Sequence, residues 1–173
     1  AFMSAFTKLG DAGIVWILLA LILLLVPKTR KMGLVLMAAL LVDVILCNGI
    51  LKNWVARTRP FDVNTAISLL VPRPHDFSFP SGHTAASFAS IAALYLVNRD
   101  SARLGIPARL SKILWKAALV VGCLLALSRL YLYVHFPTDI LGGILVGILS
   151  GYLGYQIYVW LESKRMDKSK RQQ

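Results

Sequence analysis

Acidic residues are scarce in this chain. Eight Asp and Glu stand against 19 Lys and Arg, which gives a formal net charge of +11. Such an excess suits either nucleic acid or an anionic membrane surface. The composition decides between them, because 57% of the 173 residues are hydrophobic and the mean hydropathy is +0.67. A soluble core of this length does not need so much apolar surface. The sequence therefore predicts a protein of the lipid bilayer, with no nucleic-acid partner.

Cysteine is also scarce, and no secretory signal is visible. Cys47 and Cys123 each lie inside an apolar stretch, where a reduced, buried thiol is the ordinary state. No disulfide is expected. The chain has no repeat, and it has no basic-then-apolar segment ending in a small-residue cleavage site. It starts at Ala1, which leaves open an upstream piece or a start at Met3.

Five apolar stretches have lengths near the ~17–25 residues of a membrane-spanning helix. They are Ala12–Pro27, Met32–Leu51, Gly82–Asn98, Ile113–Tyr131 and Asp139–Leu161. The predicted fold is an all-α membrane helix bundle of about five transmembrane helices, forming one membrane-embedded domain over residues 1–162. A basic cytoplasmic tail is predicted over residues 163–173.

The helix ends and the N-terminus carry further signals. Asp11 and Ser81 are the predicted N-caps of the first and third helices. Residues Ala1–Leu9 have apolar positions at helical spacing and are expected to form a short interfacial helix.

The basic residues are distributed unevenly between the two sides of such a bundle. Five spans place segments 28–31, 99–116 and 162–173 on one side, and these hold 13 of the 19 basic residues. By the positive-inside rule this side is cytoplasmic. The predicted location is the cell inner (plasma) membrane, with the loops 52–81 and 129–138 on the external or periplasmic side.

Every histidine of the chain lies in or next to these outer segments, where three blocks of polar residues can be distinguished. The first block runs from Lys52 to Arg59-Pro60. If the helix continued to Arg59, the two cations would lie about two turns apart on one face. Pro60 would then end it. Arg grips phosphate oxygens bidentately, and Lys adds a point charge.

The second block is Pro80-Ser81-Gly82-His83, at the predicted start of a helix. Free N–H groups at a helix N-terminus bind anions, and Gly82 lets the backbone approach the ligand closely. His83 would lie beside the bound anion, placed to donate a proton. An ordinary Ser cap next to a surface histidine is the alternative.

The third block runs from Ser128-Arg129 to His135 and Asp139. A carboxylate beside an imidazole fixes its tautomer and leaves the other nitrogen free to attack. Arg129 ends the preceding helix and can reach the same pocket. The alternative is an interfacial His135, with Asp139 serving as a helix-start anion.

Taken together, the blocks resemble the type 2 phosphatidic acid phosphatase family, also called lipid phosphate phosphatases. The family pattern is Lys-x6-Arg-Pro, Pro-Ser-Gly-His and Ser-Arg-x5-His-x3-Asp, and all eleven fixed positions match between residues 52 and 139. Many members have six spans. A first span is therefore absent here, trimmed, or replaced by the interfacial helix.

The resemblance implies a role for each matching residue. His135 would attack phosphorus to form a phosphohistidine, Asp139 would orient it, and His83 would protonate the leaving oxygen. No metal and no cofactor are implied. Ser128 would lend a supporting hydrogen bond. The phosphate-binding residues would be Lys52, Arg59, Ser81, Gly82 and Arg129.

Other polar and small residues lie outside the motifs. Asp43 lies within the second span, and nine residues place it half a turn from Lys52, so an interhelical hydrogen bond is expected for it. His75 and Asp76 are expected in a solvated loop, and Arg57 and Arg73 at lipid headgroups. The small-residue stripe Gly143, Gly147 and Gly151 favours packing within the bundle, with a homodimer face as the alternative.

Three other activities remain to be weighed against a lipid phosphatase. A metal-dependent hydrolase is disfavoured because the outer side has few carboxylates and its cations repel a divalent ion. A non-enzymatic carrier of lipid phosphates would need the cations but not the His135–Asp139 pair. A vanadate-dependent haloperoxidase has a similar anion site, but those enzymes are typically soluble. Candidate substrates are phosphatidylglycerol phosphate, phosphatidic acid and undecaprenyl pyrophosphate, with a slight preference for the last.

Overall fold

The computed structural model describes residues 2–171. Ala1, Gln172 and Gln173, which the predicted interfacial helix and basic tail include, lie outside the described residues. The described chain is helical and contains no strand. Its helices are α1 (Phe2–Phe6), α2 (Ile14–Leu25), α3 (Arg30–Asp43), α4 (Lys52–Val55), α5 (Pro60–Val63), α6 (Gly82–Arg99), α7 (Ser101–Leu104), α8 (Ala108–Tyr131) and α9 (Pro137–Arg171). A 3₁₀ segment, Thr7–Gly13, precedes α2, and a π-helical segment, Val44–Leu51, follows α3.

Four stretches within residues 2–171 are long and apolar enough to cross a membrane. They are Met3–Leu25, Arg30–Val63, Ala108–Tyr131 and Pro137–Ser169. The fifth predicted span corresponds to α6, which packs against α3, α8 and α9. Helix α6 is enclosed by other helices and buries Ser and Thr side chains as well as apolar ones, and it is not among these four stretches. The predicted all-α membrane bundle is confirmed.

The N-terminal prediction was wrong in its details. Asp11 does not cap the first long helix, which begins only at Ile14 after Gly13 in a left-handed conformation. Thr7 is 2% exposed, and its hydroxyl accepts a hydrogen bond from Arg129 and lies 3.3 Å from the Ser128 hydroxyl. The segment that was expected to be an interfacial helix therefore packs against the outer end of α8.

The last helix is longer than the predicted span Asp139–Leu161. Helix α9 extends without a break to Arg171, through the residues expected to form a separate tail. Glu, Lys, Arg and Met are good helix formers, so a polar composition does not end a helix. At this end of the bundle Lys31 of α3 forms a 2.8 Å ion pair with Glu162 of α9. Arg103 donates a 2.9 Å hydrogen bond to the Tyr155 hydroxyl.

The glycine stripe of α9 faces α6 within the same chain. An alanine at Gly143, Gly147 or Gly151 would place its Cβ against the backbone of α6, as at Gly143, where Ser81 O would be 2.8 Å away. All three glycines are buried. Packing within the bundle is confirmed, and these glycines are not available to a homodimer face because α6 already covers them.

Replacement of Gly147 by Ala is expected to lower the stability of the bundle by about 1–3 kcal/mol, since overpacked cores must shift to relieve a clash. The new Cβ would lie 2.8 Å from Phe88 Cβ and 2.9 Å from the Ala89 nitrogen. The measurement is the Tm in detergent. Gly49→Ala is the matched control, because its nearest neighbour would be Val44 O at 3.7 Å. An equal fall in Tm for the two variants would contradict the expectation.

Candidate active site

A polar cavity of about 310 Å³ lies at the end of the bundle opposite the Lys31–Glu162 ion pair. Six of the eight predicted site residues line it: Lys52, Arg59, Gly82, His83, Arg129 and His135. The other two, Ser81 and Asp139, are fully buried. The three sequence blocks therefore meet around one cavity.

Lys52 and Arg59 do not share a helical face, contrary to the prediction. Helix α4 ends at Val55, because Ala56 adopts a left-handed conformation with φ of 47°. Arg59 is extended, with φ −81° and ψ 155°. The loop nevertheless brings both cations to one carboxylate, that of Asp76. The Arg59 Nη2 atom lies 2.6 Å from Asp76 Oδ1, and the Lys52 ammonium contacts Oδ2.

Asp76 is a site residue that the sequence reading missed. His75 and Asp76 are both exposed, as expected of a solvated loop, but Asp76 also pairs with Lys52 and Arg59. Burial alone would raise the pKa of Asp76, but the hydrogen bonds and charges of Lys52 and Arg59 outweigh it and lower this pKa to about 2. The carboxylate is therefore an anion at neutral pH, and it occupies the two cations that were predicted to bind phosphate.

His135 presents one ring nitrogen to the cavity and the other to Asp139. Its Nε2 lies 3.3 Å from Arg59 Nη1. Its Nδ1 lies 3.4 Å from Asp139 Oδ2, at ion-pair distance but without the alignment of a hydrogen bond. Burial lowers the pKa of His135 to about 4, with Asp139 opposing this effect and the charges of Arg59 and Arg129 adding to it. The imidazole is therefore neutral near pH 7, as a nucleophile must be.

Asp139 is held by three donors around its carboxylate. Ser78 Oγ donates to Oδ2 at 2.5 Å, and the Phe136 backbone N–H donates to the same oxygen at 2.8 Å. Arg57 Nη1 lies 2.8 Å from Oδ1, and its guanidinium stacks over the Phe136 ring. The expectation that Arg57 meets lipid headgroups is wrong, since it supports Asp139 from behind the site.

His83 is paired with the N-terminal segment. Its Nε2 lies 3.0 Å from Asp11 Oδ1. Gly10 packs so closely over the ring that an added Cβ would come within 2.6 Å of His83 Cδ2. The Asp11 carboxylate favours a protonated ring. Burial, with the charges of Arg129 and Lys52 adding to it, outweighs this contact and lowers the pKa of His83 to about 3. Asp11, predicted as a helix cap, is therefore the partner of the predicted acid.

Ser81 and Gly82 form the turn that begins α6. Ser81 occupies the N-cap position but makes no side-chain cap, because its hydroxyl accepts a 3.0 Å hydrogen bond from Thr84. Gly82 lies next to Lys52, whose Nζ would be 3.8 Å from an added Cβ. The N-terminus of α6 thus opens on the cavity beside the lysine, where its free N–H groups favour an anion.

Arg129 lies at the end of α8 and is 5% exposed. Its Nη1 donates a 2.7 Å hydrogen bond to Thr7, and its Nε has no partner among the described residues. A buried guanidinium N–H that borders a cavity needs an acceptor. Ser128 donates a 2.6 Å hydrogen bond to Leu125 O and contacts Thr7, which ties the same corner together. Within residues 2–171, no group of three or more His, Cys, Asp or Glu side chains gathers as a metal-ligand set.

Comparison with known proteins places this geometry in a family. A family model described as the PAP2 superfamily matches residues 28–163, which include all three blocks. The chain belongs to the PAP2 superfamily. The resemblance read from the motifs is thereby confirmed.

Two curated relatives of this PAP2 chain are named as phosphatases of different lipids. An undecaprenyl-diphosphatase of Sulfolobus acidocaldarius is 31% identical over 143 residues, covering 83% of this chain and 63% of the relative. Phosphatidylglycerophosphatase B of Bacillus subtilis is 38% identical over 112 residues, covering 62% and 49%. The chain thus spans between about half and two-thirds of the length of these relatives.

Two solved structures share the PAP2 fold. One is the crystal structure of a transmembrane PAP2-type phosphatidylglycerolphosphate phosphatase from Bacillus subtilis. It has a TM-score of 0.69 and 31% identity, over 90% of this chain and 74% of that one. The other is Aquifex aeolicus LpxE, with a TM-score of 0.68 and 28% identity, over 90% and 84%.

The charge state of His135 in this PAP2 site can be tested directly. The folded protein holds its pKa near 4, below the ordinary 6.5, because burial disfavours the imidazolium. The ring should stay neutral as the pH falls from 7 to 5 and should take up its proton only near pH 4. The measurement is NMR of the ¹⁵N-histidine-labelled protein in detergent, with the His135 signal assigned by its loss in His135→Ala. Titration of that signal near pH 6.5 would contradict the burial argument.

Proposed function

We propose that this chain is an integral membrane phosphatase that hydrolyses a lipid phosphate or pyrophosphate without a metal, through a phosphohistidine. One observation carries the proposal: His135 Nε2 faces a cavity lined by Lys52, Arg59, Arg129 and His83. Three cations can bind the oxygens of a phosphate, and the neutral imidazole of His135 lies beside them. The names of the relatives, which are lipid phosphatases and diphosphatases, support the same class of substrate.

Binding of the substrate begins with an exchange of anions. The phosphate replaces the Asp76 carboxylate on Lys52 and Arg59, and Arg129 adds its unpartnered Nε–H. The N–H groups at the start of α6 complete the cradle. These donors also face the charge that develops on the equatorial oxygens in the transition state.

The chemical steps follow from the positions of the two imidazoles. The negative charge of the bound phosphate favours protonation of His83. His135 Nε2 forms a bond to phosphorus while the bond from phosphorus to the leaving oxygen breaks, and His83 delivers its proton to that oxygen. Asp139 stabilises the positive charge on His135. In the second step His83 removes a proton from water, the water oxygen attacks phosphorus, and the bond to His135 breaks. Phosphate and neutral His135 are regenerated.

The residues that support His135 favour an enzyme that hydrolyses lipid phosphates over a protein that only carries them. A carrier needs Lys52, Arg59 and Arg129, but it has no use for a carboxylate behind His135. Here that carboxylate, Asp139, is fully buried and is itself held by Arg57 and Ser78. Such a supporting layer is what positions a nucleophile.

The decisive experiment compares His135→Ala with Arg129→Ala. His135→Ala should abolish turnover while affinity for phosphate stays within about tenfold, since the cations remain. Arg129→Ala should weaken binding and turnover together, because its contact exists in both ground and transition states. The measurements are kcat on a lipid monophosphate and affinity for phosphate, in detergent with excess chelator and with vanadate as inhibitor.

His75→Ala is the matched control, because His75 is exposed and does not line the cavity. It should behave as the unaltered protein. Near-normal turnover in His135→Ala would refute the nucleophile and restore the carrier. Loss of activity in EDTA that Mg²⁺ or Zn²⁺ restores would favour the metal-dependent hydrolase.

We further propose a plasma-membrane orientation with the cavity on the external side. The support is the charge distribution, with 13 of 19 basic residues at the end opposite the cavity. Apolar tails of the substrate would then reach the site sideways from the bilayer, from its outer leaflet.

Cysteine labelling tests this orientation. Asn64 and Ser169 are both exposed and lie in the outer loop and near the end of α9. An impermeant thiol reagent should label Asn64→Cys in intact cells, and should label Ser169→Cys only after permeabilisation. The native exposed Cys123 is replaced by Ala in both variants. The opposite labelling pattern would invert the topology.

A further inference from the structure

A second cavity, of about 360 Å³, lies beside the first. It is bounded by α2, by α6, and by the end of α3 with the π-helical segment that follows it. The two cavities share four lining residues: Lys52, Asp76, Gly82 and His83. Apolar side chains of Ile17, Leu40 and Val44 line the remainder, and Asp43 and Asn48 are the polar groups there that the first cavity lacks. The proposed reaction does not use either of them.

Asp43 is buried without satisfying its carboxyl group. Its side chain is 2% exposed, and its Oδ1 has no hydrogen-bond partner among the described residues. The interhelical hydrogen bond expected from the sequence is therefore not formed at that atom. An unpartnered buried carboxyl is costly, and it lines a cavity in which a ligand could supply the missing donor.

The π-helical segment explains why Asp43 reaches this cavity. In an α-helix, Asp43 would point half a turn away from Lys52, nine residues on. In a π-helix the hydrogen bonds run from i to i+5, so residues five apart stack on one face. Asp43 and Asn48 are five apart, and Lys52 follows directly after the segment. All three line the second cavity.

The geometry of the proposed reaction indicates which part of the substrate would occupy the second cavity. The attacking and leaving atoms of phosphoryl transfer lie roughly in line with phosphorus. His135, Arg59 and Arg129 line only the first cavity, whereas His83, the proposed proton donor to the leaving oxygen, lines both. With the phosphate in the first cavity, the atoms beyond the leaving oxygen enter the second.

We propose that Asp43 is a specificity-determining residue that accepts a hydrogen bond from a hydroxyl group of the leaving alcohol. The inference rests on the proposed phosphatase function. It assigns the preferred substrate to phosphate monoesters of a lipid-linked polyol, such as a glycerol or a sugar. A lipid diphosphate would bring a second phosphate, whose oxygens only accept hydrogen bonds, against the Asp43 oxygen that lacks a donor. The preference therefore runs against the pyrophosphate that the sequence slightly favoured.

The test compares two substrates that differ by one hydroxyl group. They are phosphatidylglycerol phosphate and its analogue that lacks the free hydroxyl of the phosphorylated glycerol. The native protein should show a kcat/KM at least about tenfold higher for the hydroxylated lipid, the effect of one hydrogen bond to a carboxylate. Farnesyl diphosphate, as a third substrate, reports on the mismatch between its second phosphate and Asp43.

Substitution of Asp43 should change this ratio in a graded way. Asp43→Leu should bring the hydroxyl preference close to one. Asp43→Asn should retain part of it, since a neutral acceptor binds a hydroxyl more weakly, and should raise the rate on farnesyl diphosphate relative to the monoester. The control is Met37→Leu, a volume-conserving change on the same helix that does not line the second cavity. It should keep the native ratio.

Failure of the subsite and failure of the phosphatase are distinguishable. If the native protein hydrolyses both monoesters equally, or if Asp43→Asn keeps the full native preference, the subsite is refuted while the phosphatase stands. The native ratio needs no variant, so poor folding of Asp43→Leu does not obscure the result. Release of phosphate from none of the three lipids would overturn the proposed function and the subsite with it.

Discussion

The arrangement of this molecule depends on burying three cations at one end of a membrane bundle. Lys52, Arg59 and Arg129 are 7%, 3% and 5% exposed. A buried charge is tolerated only with a partner, because removal from water costs several kcal/mol. Asp76 supplies that partner for Lys52 and Arg59, and Thr7 gives Arg129 a hydroxyl acceptor. The cluster is thus stable when empty, yet every one of these contacts can be exchanged for a phosphate oxygen.

The helices beneath the cluster hold it in place by close packing. Small residues let α9 approach the backbone of α6, so that Asp139 on α9 and His83 on α6 keep a fixed separation. The Ser81 N–H donates a 3.1 Å hydrogen bond to Asp139 O and joins these two helix starts directly. In a bilayer, van der Waals contact between small residues replaces the hydrophobic force that drives packing in water. The site is therefore as rigid as the α6–α9 contact that carries it.

The sequence revealed the chemistry of the site better than its supporting contacts. His83, Arg129 and His135 were found because reactive side chains recur at fixed spacings, and such spacings are visible in one dimension. Asp76, Arg57 and Asp11 were missed because each pairs with a residue 17 or more positions away in the chain. No local periodicity predicts such a path. The helix end at Ala56 was missed for a related reason, since a left-handed alanine has no sequence signature.

The π-helical segment shows how a local change of register can extend a site. Periodicity of 3.6 residues separates Asp43 from Lys52, and the prediction of their separation was sound for an α-helix. The wider turn over Val44–Leu51 removes that separation and aligns a buried carboxyl with the phosphate-binding lysine. Wider turns of this kind are rare and less favourable than α-helix, and they often occur at functional sites. Here the gain is a second polar wall next to the proposed leaving group, on a helix whose other faces remain apolar for the bilayer.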